Sequence, residues 1–254
     1  MLIDSVIYDI IVIYFSEVLA MKILQKGFNY SQDGPGNRLV YHTQGCNFRC
    51  KWCSNPESMA ADYTKAKDYT CEEIIDEIMR SRMMFFDGGG VTFTGGEPTL
   101  QLSELKKILS SVKKEGINTA IETNGSSERL PELSELIDFL IMDIKQPDDK
   151  IHRKFIGASN KKTIENFKKL SQERTQLHIR IPLINHVNTD PKPFVDLFSH
   201  ADMKNTTVEV LRYHEFGKDK WTSEYEITDG FVSDEQFICF CRALESIGVK
   251  IIST

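Results

Sequence analysis

The chain has 254 residues, 41% hydrophobic and 27% charged, with a formal net charge of −6. That is enough for one large α/β domain whose core needs no disulfide staples, and the acidic balance argues against a general nucleic-acid binder. Six cysteines in a chain of this length read as metal ligands and buried thiols rather than a disulfide framework, which points to a reducing cytoplasm.

Residues 1–20 are largely apolar, but Asp4, Asp9 and Glu17 interrupt them. They lack the basic start of a signal peptide and the unbroken run of ~20 residues that spans a membrane. Residues 1–20 are expected to be a start-site extension or flexible leader ahead of Met21, the alternative being a surface amphipathic segment, with no membrane partner. No linker, repeat or charge run divides residues 21–254, which read as a single domain. N-terminal sequencing of the native protein tests the expected start: a mature end near residue 1 would reject it.

Short apolar runs then alternate with helical patterns. The expected strands are residues 39–43, 91–94, 118–122, 139–143, 177–183 and 207–213. Thr70 with Glu73 predicts a capping box ahead of Ile74, Ile75 and Ile78. Ser103 is expected to cap a helix carrying Leu105, Ile108, Leu109 and Val112, the spacing of a buried stripe. Ser233 with Gln236 predicts a last helix through Phe237, Cys241 and Leu244, followed by Gly248 and a short strand at 249–252. This alternation predicts an α/β fold with a parallel sheet, either a partial (β/α)6 barrel or an open doubly wound sheet. Both place ligands at the C-terminal ends of strands.

Unusual polar residues follow those strands. After the first come Cys46, Cys50 and Cys53, a CxxxCxxC run with no fourth cysteine nearby. Three thiolates on a cubane iron–sulfur cluster leave one iron open to a substrate or cofactor. Structural zinc wants four ligands, and His42 would complete that set only with awkward spacing. After the second strand come Gly95-Gly96-Glu97-Pro98, which allow close backbone approach to a ligand or make a simple turn. After the third comes Glu122-Thr123-Asn124-Gly125, otherwise an Asn-Gly turn. Asp143 and Lys145 share one side of an extended chain, facing one ligand or pairing with each other. Arg180 lies in an apolar strand and needs a salt bridge or a ligand. His214 follows the last strand, whereas His42, His152, His178, His186 and His200 carry no motif. Cys71, Cys239 and Cys241 are expected to be small buried apolar residues.

The run Cys-x3-Cys-x2-Cys followed by Gly-Gly-Glu-Pro resembles radical S-adenosylmethionine enzymes. From about residue 29 to 253 the chain is similar to the glycyl-radical-enzyme activating branch, typified by pyruvate formate-lyase activase. The matching elements are residues 33–38 (Asp33-Gly34-Pro35-Gly36-Asn37-Arg38), the cysteine run, 94–98, 122–125, 143–146, Arg180 and 213–218. The Cys-Lys-Trp-Cys-Ser-Asn-Pro-Glu form looks more like activases of dehydratases and decarboxylases.

The resemblance implies a partial barrel of the radical SAM type. Cys46, Cys50 and Cys53 would hold one [4Fe–4S] cluster whose open iron chelates S-adenosylmethionine. Gly95, Gly96 and Glu97 would bind the methionine amino end. Asp143, Lys145, Arg180 and His214 would line the rest of the cofactor, with Trp52 and Ser54 near its adenosyl portion. Glu122, Thr123 and Asp143 would match a monovalent-cation site, with Glu122 replacing a shorter Asp. Asp33 would lie where a partner's glycine loop docks. The implied reaction is one-electron cleavage of the sulfonium to a 5′-deoxyadenosyl radical, which takes hydrogen from a backbone glycine of a glycyl radical enzyme. A flavodoxin or ferredoxin is the expected donor. The alternatives are a radical SAM enzyme acting on a small molecule, or a non-catalytic iron–sulfur protein. Residues 60–90 hold only Cys71, so no ferredoxin-like insert and no second cluster are expected.

Overall fold

The computed structural model describes residues 19–173 and 176–253, so residues 1–18 of the expected 1–20 extension lie outside the described residues. Among the described residues the first strand starts at Ala20, one residue before Met21.

Among the described residues the sheet has eight strands: β1 (Ala20–Tyr30), β2 (Asn37–Thr43), β3 (Lys67–Thr70), β4 (Gly90–Gly95), β5 (Asn118–Thr123), β6 (Phe139–Asp143), β7 (Gln176–Leu183) and β8 (Thr206–Arg212), in the order β3-β1-β2-β4-β5-β6-β7-β8. From β2 through β8 all neighbours run parallel. These are the strands expected from the sequence. Their residues are buried almost without alternation, as in β2 and β4, because parallel strands are covered on both faces. Two antiparallel strands, β1 and β3, extend the sheet at its other end.

Helices α1 (Cys71–Arg80), α2 (Leu102–Lys114), α3 (Asp149–Ile156), α4 (Lys161–Leu170), α5 (Lys192–Ser199) and α6 (Asp234–Glu245) fall between or after the parallel strands. The capping boxes at Thr70/Glu73 and Ser233/Gln236 are both formed. Leu105, Ile108, Leu109 and Val112 are fully buried beneath α2. Ser103 is not its cap: α2 starts at Leu102 behind Gln101, because the turn Pro98–Gln101 runs straight into it. The α6 stripe also differs. Phe240 and Leu244 are fully buried, while Phe237 and Cys241 are half-buried. Cys71 is buried as expected, but Cys239 is exposed on the far side of α6. Residues 249–252 add only a parallel bridge from Ile251 to Val208.

Candidate active site

The strand ends converge. A cavity of about 880 Å³ is lined by Cys46, Cys50 and Cys53 together with residues from every parallel strand. The thiol loop leaves β2 through Gly45, which has φ +94°. The neighbouring glycines are there for close approach. A Cβ on Gly96 would lie 2.1 Å from the Gly45 carbonyl oxygen, and one on Gly217 would lie 2.4 Å from Ser54 Cα. The β4 turn and the chain after β8 therefore clamp the thiol loop from two sides.

The cavity floor is a charged network. Arg180 is the register neighbour of Asp143 on β6 and of Glu209 on β8. Its guanidinium donates to Glu122 at 2.7 Å, to Glu209 at 2.9 Å and to the Gln32 carbonyl. Glu209 also meets the His178 ring at 3.2 Å. Burial alone would raise the Glu122 carboxyl, but Arg180 and Thr94 hold it below the ordinary range. Asp143 and Lys145 form an ion pair of 2.6 Å. Burial opposes the Lys145 charge, yet the Asp143 carboxylate keeps its pKa above the usual value.

Most of the expected site residues line this cavity: Trp52, Ser54, Gly95, Gly96, Asp143, Lys145, Arg180, His214 and Asp33. His214 stacks on Phe216 with ring centroids 4.3 Å apart. Glu97 stands apart. It is fully buried, and its oxygens accept from Thr99 N and Oγ1, Thr123 Oγ1 and Asn124 N at 2.5–3.0 Å. It ties the β4 turn to the β5 turn. Sequence reasoning missed Glu209, although a carboxylate inside Val208-Glu209-Val210 carries the same signal as Arg180 among apolar neighbours.

A family model described as "Radical SAM superfamily" matches residues 40–198. Pyruvate formate-lyase 1-activating enzyme of Escherichia coli K12 is 36% identical over 205 residues, covering 77% of this chain and 82% of that protein. The chain belongs to the radical SAM activating enzymes. The pyruvate formate-lyase-activating enzyme of Staphylococcus aureus USA300 is 30% identical, covering 81% of this chain and 87% of its own length. A crystal structure of a domain of pyruvate-formate lyase-activating enzyme from Bacteroides vulgatus superposes with a TM-score of 0.55 at 28% identity, covering 65% of this chain and 98% of that one.

The family implies a [4Fe–4S] cluster and S-adenosylmethionine, and the donor set of this radical SAM enzyme fits them. Two of the three sulfurs already accept backbone N–H groups, Phe48 to Cys46 and Asn55 to Cys53, each at 3.4 Å. Such bonds stabilise thiolates on a cluster. Burial pushes the Cys46 thiol up to about 11 and raises Cys50 and Cys53 as well. Buried thiols of this kind are neutral until a metal takes their protons. Among the described residues no group of three side chains would hold a single metal ion. A cubane spreads its ligands over separate irons and does not require that convergence.

The expected monovalent-cation set does not fit. Glu122 is engaged by Arg180 and Thr94, Thr123 by Glu97 and Gly125 N, and Asp143 by Lys145. Arg180 and Lys145 already supply the positive charge that a cation would bring to the two carboxylates.

Proposed function

We propose that this enzyme activates a glycyl radical enzyme, with pyruvate formate-lyase or a related lyase as its protein substrate. The observation that carries the reading is one cavity lined both by the three thiols and by Asp33, whose loop belongs to a different end of the sheet. The floor thus reaches from the thiols to the place where the family resemblance sets the partner's glycine.

Cys46, Cys50 and Cys53 would hold the cluster. Gly95 and Gly96 would offer backbone groups to the methionine end of the cofactor. Lys145 and Arg180 would face its carboxylate, and Trp52, Ser54 and His214 would bound the adenosyl end. Glu97 fixes the turn that presents Gly95 and Gly96. When bound, cluster and cofactor supply one-electron cleavage of a sulfonium and removal of one hydrogen atom from a glycine Cα. The residues around them hold the reacting parts in place and keep water out. Arg38 holds the Asp33 loop. It is fully buried and donates to Thr92 Oγ1 at 2.7 Å, while Thr92 donates to the Asp33 carbonyl at 2.8 Å. The single cysteine triplet means that a flavodoxin or ferredoxin would deliver its electron to that cluster directly, in the reducing cytoplasm. Among the described residues no helix is long and apolar enough to cross a membrane.

The test is anaerobic mixing of the iron-reconstituted protein with candidate partners, S-adenosylmethionine and a reductant. A glycyl radical in the electron paramagnetic resonance spectrum and stoichiometric 5′-deoxyadenosine are expected. 5′-Deoxyadenosine without a protein radical on any glycyl radical enzyme would reject the activase reading.

A further inference from the structure

The outer half of β1 leaves a hydrogen-bonding edge open. β3 pairs with β1 only from Ala20 to Ile23, and the register of β1 on β2 shifts between Ile23 and Gln25. Beyond that shift β1 bonds β2 along one edge as far as Tyr30. Among the described residues no strand lies on its other edge there. A free edge presents alternating N–H and C=O groups, a template for another extended chain.

A groove of about 300 Å³ lies over the face of the β1–β2 ladder next to this edge, lined by Gln25, Gly27 and Asn29 of β1, Val40 and His42 opposite them on β2, and Asp33. Gln25, Asn29, Asp33 and His42 also line the large cavity, so the groove leads from the edge of the sheet toward the thiols. Gly27 is exposed midway along it, and a Cβ built there would meet nothing within 4 Å. At the inner end His42 Nδ1 is buried without a hydrogen-bond partner. A buried N–H without an acceptor is costlier than a bare lone pair. That places the ring proton on Nε2, which makes His42 a donor to an incoming carbonyl. Burial lowers the His42 pKa and keeps the ring neutral.

We propose that the substrate protein's glycine-bearing segment seats as an added strand on the open edge of β1 at residues 25–30 and enters the cavity past Gly27 and His42. The inference deepens the activase reading and rests on it. The occupant is an extended chain that is small where it crosses Gly27. Its backbone pairs with β1, and the exposed Gln25 side chain is within the same groove for its remaining polar groups, while Asn29 Nδ2 donates to Asp33 and holds that loop beside it.

Two measurements test it on the reconstituted enzyme. The first is Gly27→Val, a residue that strands favour and that finds open space here. KM for the partner protein should rise about tenfold or more, with iron content reporting that the fold is kept. The second uses synthetic peptides copied from the partner's glycine loop as competitors. N-methylation at alternate positions should abolish competition in one register and spare it in the other, because only every second N–H of an added strand points at the edge. An unchanged KM for Gly27→Val, or equal loss in both registers, would overturn the proposal. Absence of a glycyl radical with the unaltered enzyme strikes the activase reading itself.

Discussion

Arg180 is held between carboxylates from two other strands, and the arrangement sets how acid acts on this protein. Glu122 is half-buried, and its folded pKa lies below its ordinary value of 4.5. A carboxylate whose pKa falls on folding contributes stability that is fully present above about 4.5 and is lost as pH drops through the lower folded value. The Glu122→Gln variant should therefore be less stable at pH 7, since Arg180 loses part of its charge partnership. It should also show a flatter decline between pH 5 and 3 than the parent. Urea midpoints taken across that range check both parts, and parallel curves would refute the assignment. Glu209 accepts from the same guanidinium and is itself met by the His178 ring, so Arg180 is oriented from β8 as well as from β5.

At the scale of the element, the decisive features are caps and close backbone contacts. Thr70 accepts from Glu73 N while Glu73 reaches back to Thr70 N at 2.8 Å. Thr70→Ala should cost about 1 kcal/mol, read as a lower denaturant midpoint with unchanged iron content. Gly217→Ala should lose iron as well as stability. Its Cβ would strike Ser54 backbone atoms beside Cys53, and backbone cannot swing aside as a long side chain can. Overpacking of this kind costs about 1–3 kcal/mol. Because the struck segment carries a thiol, iron retention should fall as well. Full iron loading of Gly217→Ala would show that the chain after β8 does not clamp the thiol loop. The Ser103 expectation failed for an elemental reason: sequence marks a capping residue, but the turn Pro98–Gln101 hands its last residue directly to α2. The capping pattern at Thr70 and Ser233 succeeded because an extended segment precedes each helix there.

At the scale of the molecule, the sheet is sealed by apolar layers that hold the strand ends in register. Phe194 is fully buried in α5 and meets Phe240 of α6 edge-on, with centroids 5.2 Å apart, and Phe198 at 6.4 Å. Phe194→Ala should cost about 3–5 kcal/mol, seen as a lower Tm. The thiol loop sits on a separate small cluster of Phe48, Trp52, Ile156, Ile184 and Tyr213, so the visible spectrum of the reconstituted protein should change little.

The parallel strands were legible because burial on both faces makes each a continuous apolar run that ends at a polar motif. The thiols, the glycine turns and Arg180 were legible because their residue types are out of place in such runs. β1 and β3 were not. The outer half of β1 is half polar, β3 is the exposed segment Lys67-Asp68-Tyr69-Thr70, and only pairing makes strands of them. Chain order and residue chemistry therefore determined the parallel α/β sheet, the three thiols and the family. Tertiary structure alone decided which charges meet. It showed Glu97 spent on neighbouring turns, Glu122 and Asp143 neutralised by Arg180 and Lys145, and the edge of β1 left open. Each of these depends on contacts between strands far apart in sequence, where distance and burial rather than residue type set the energy.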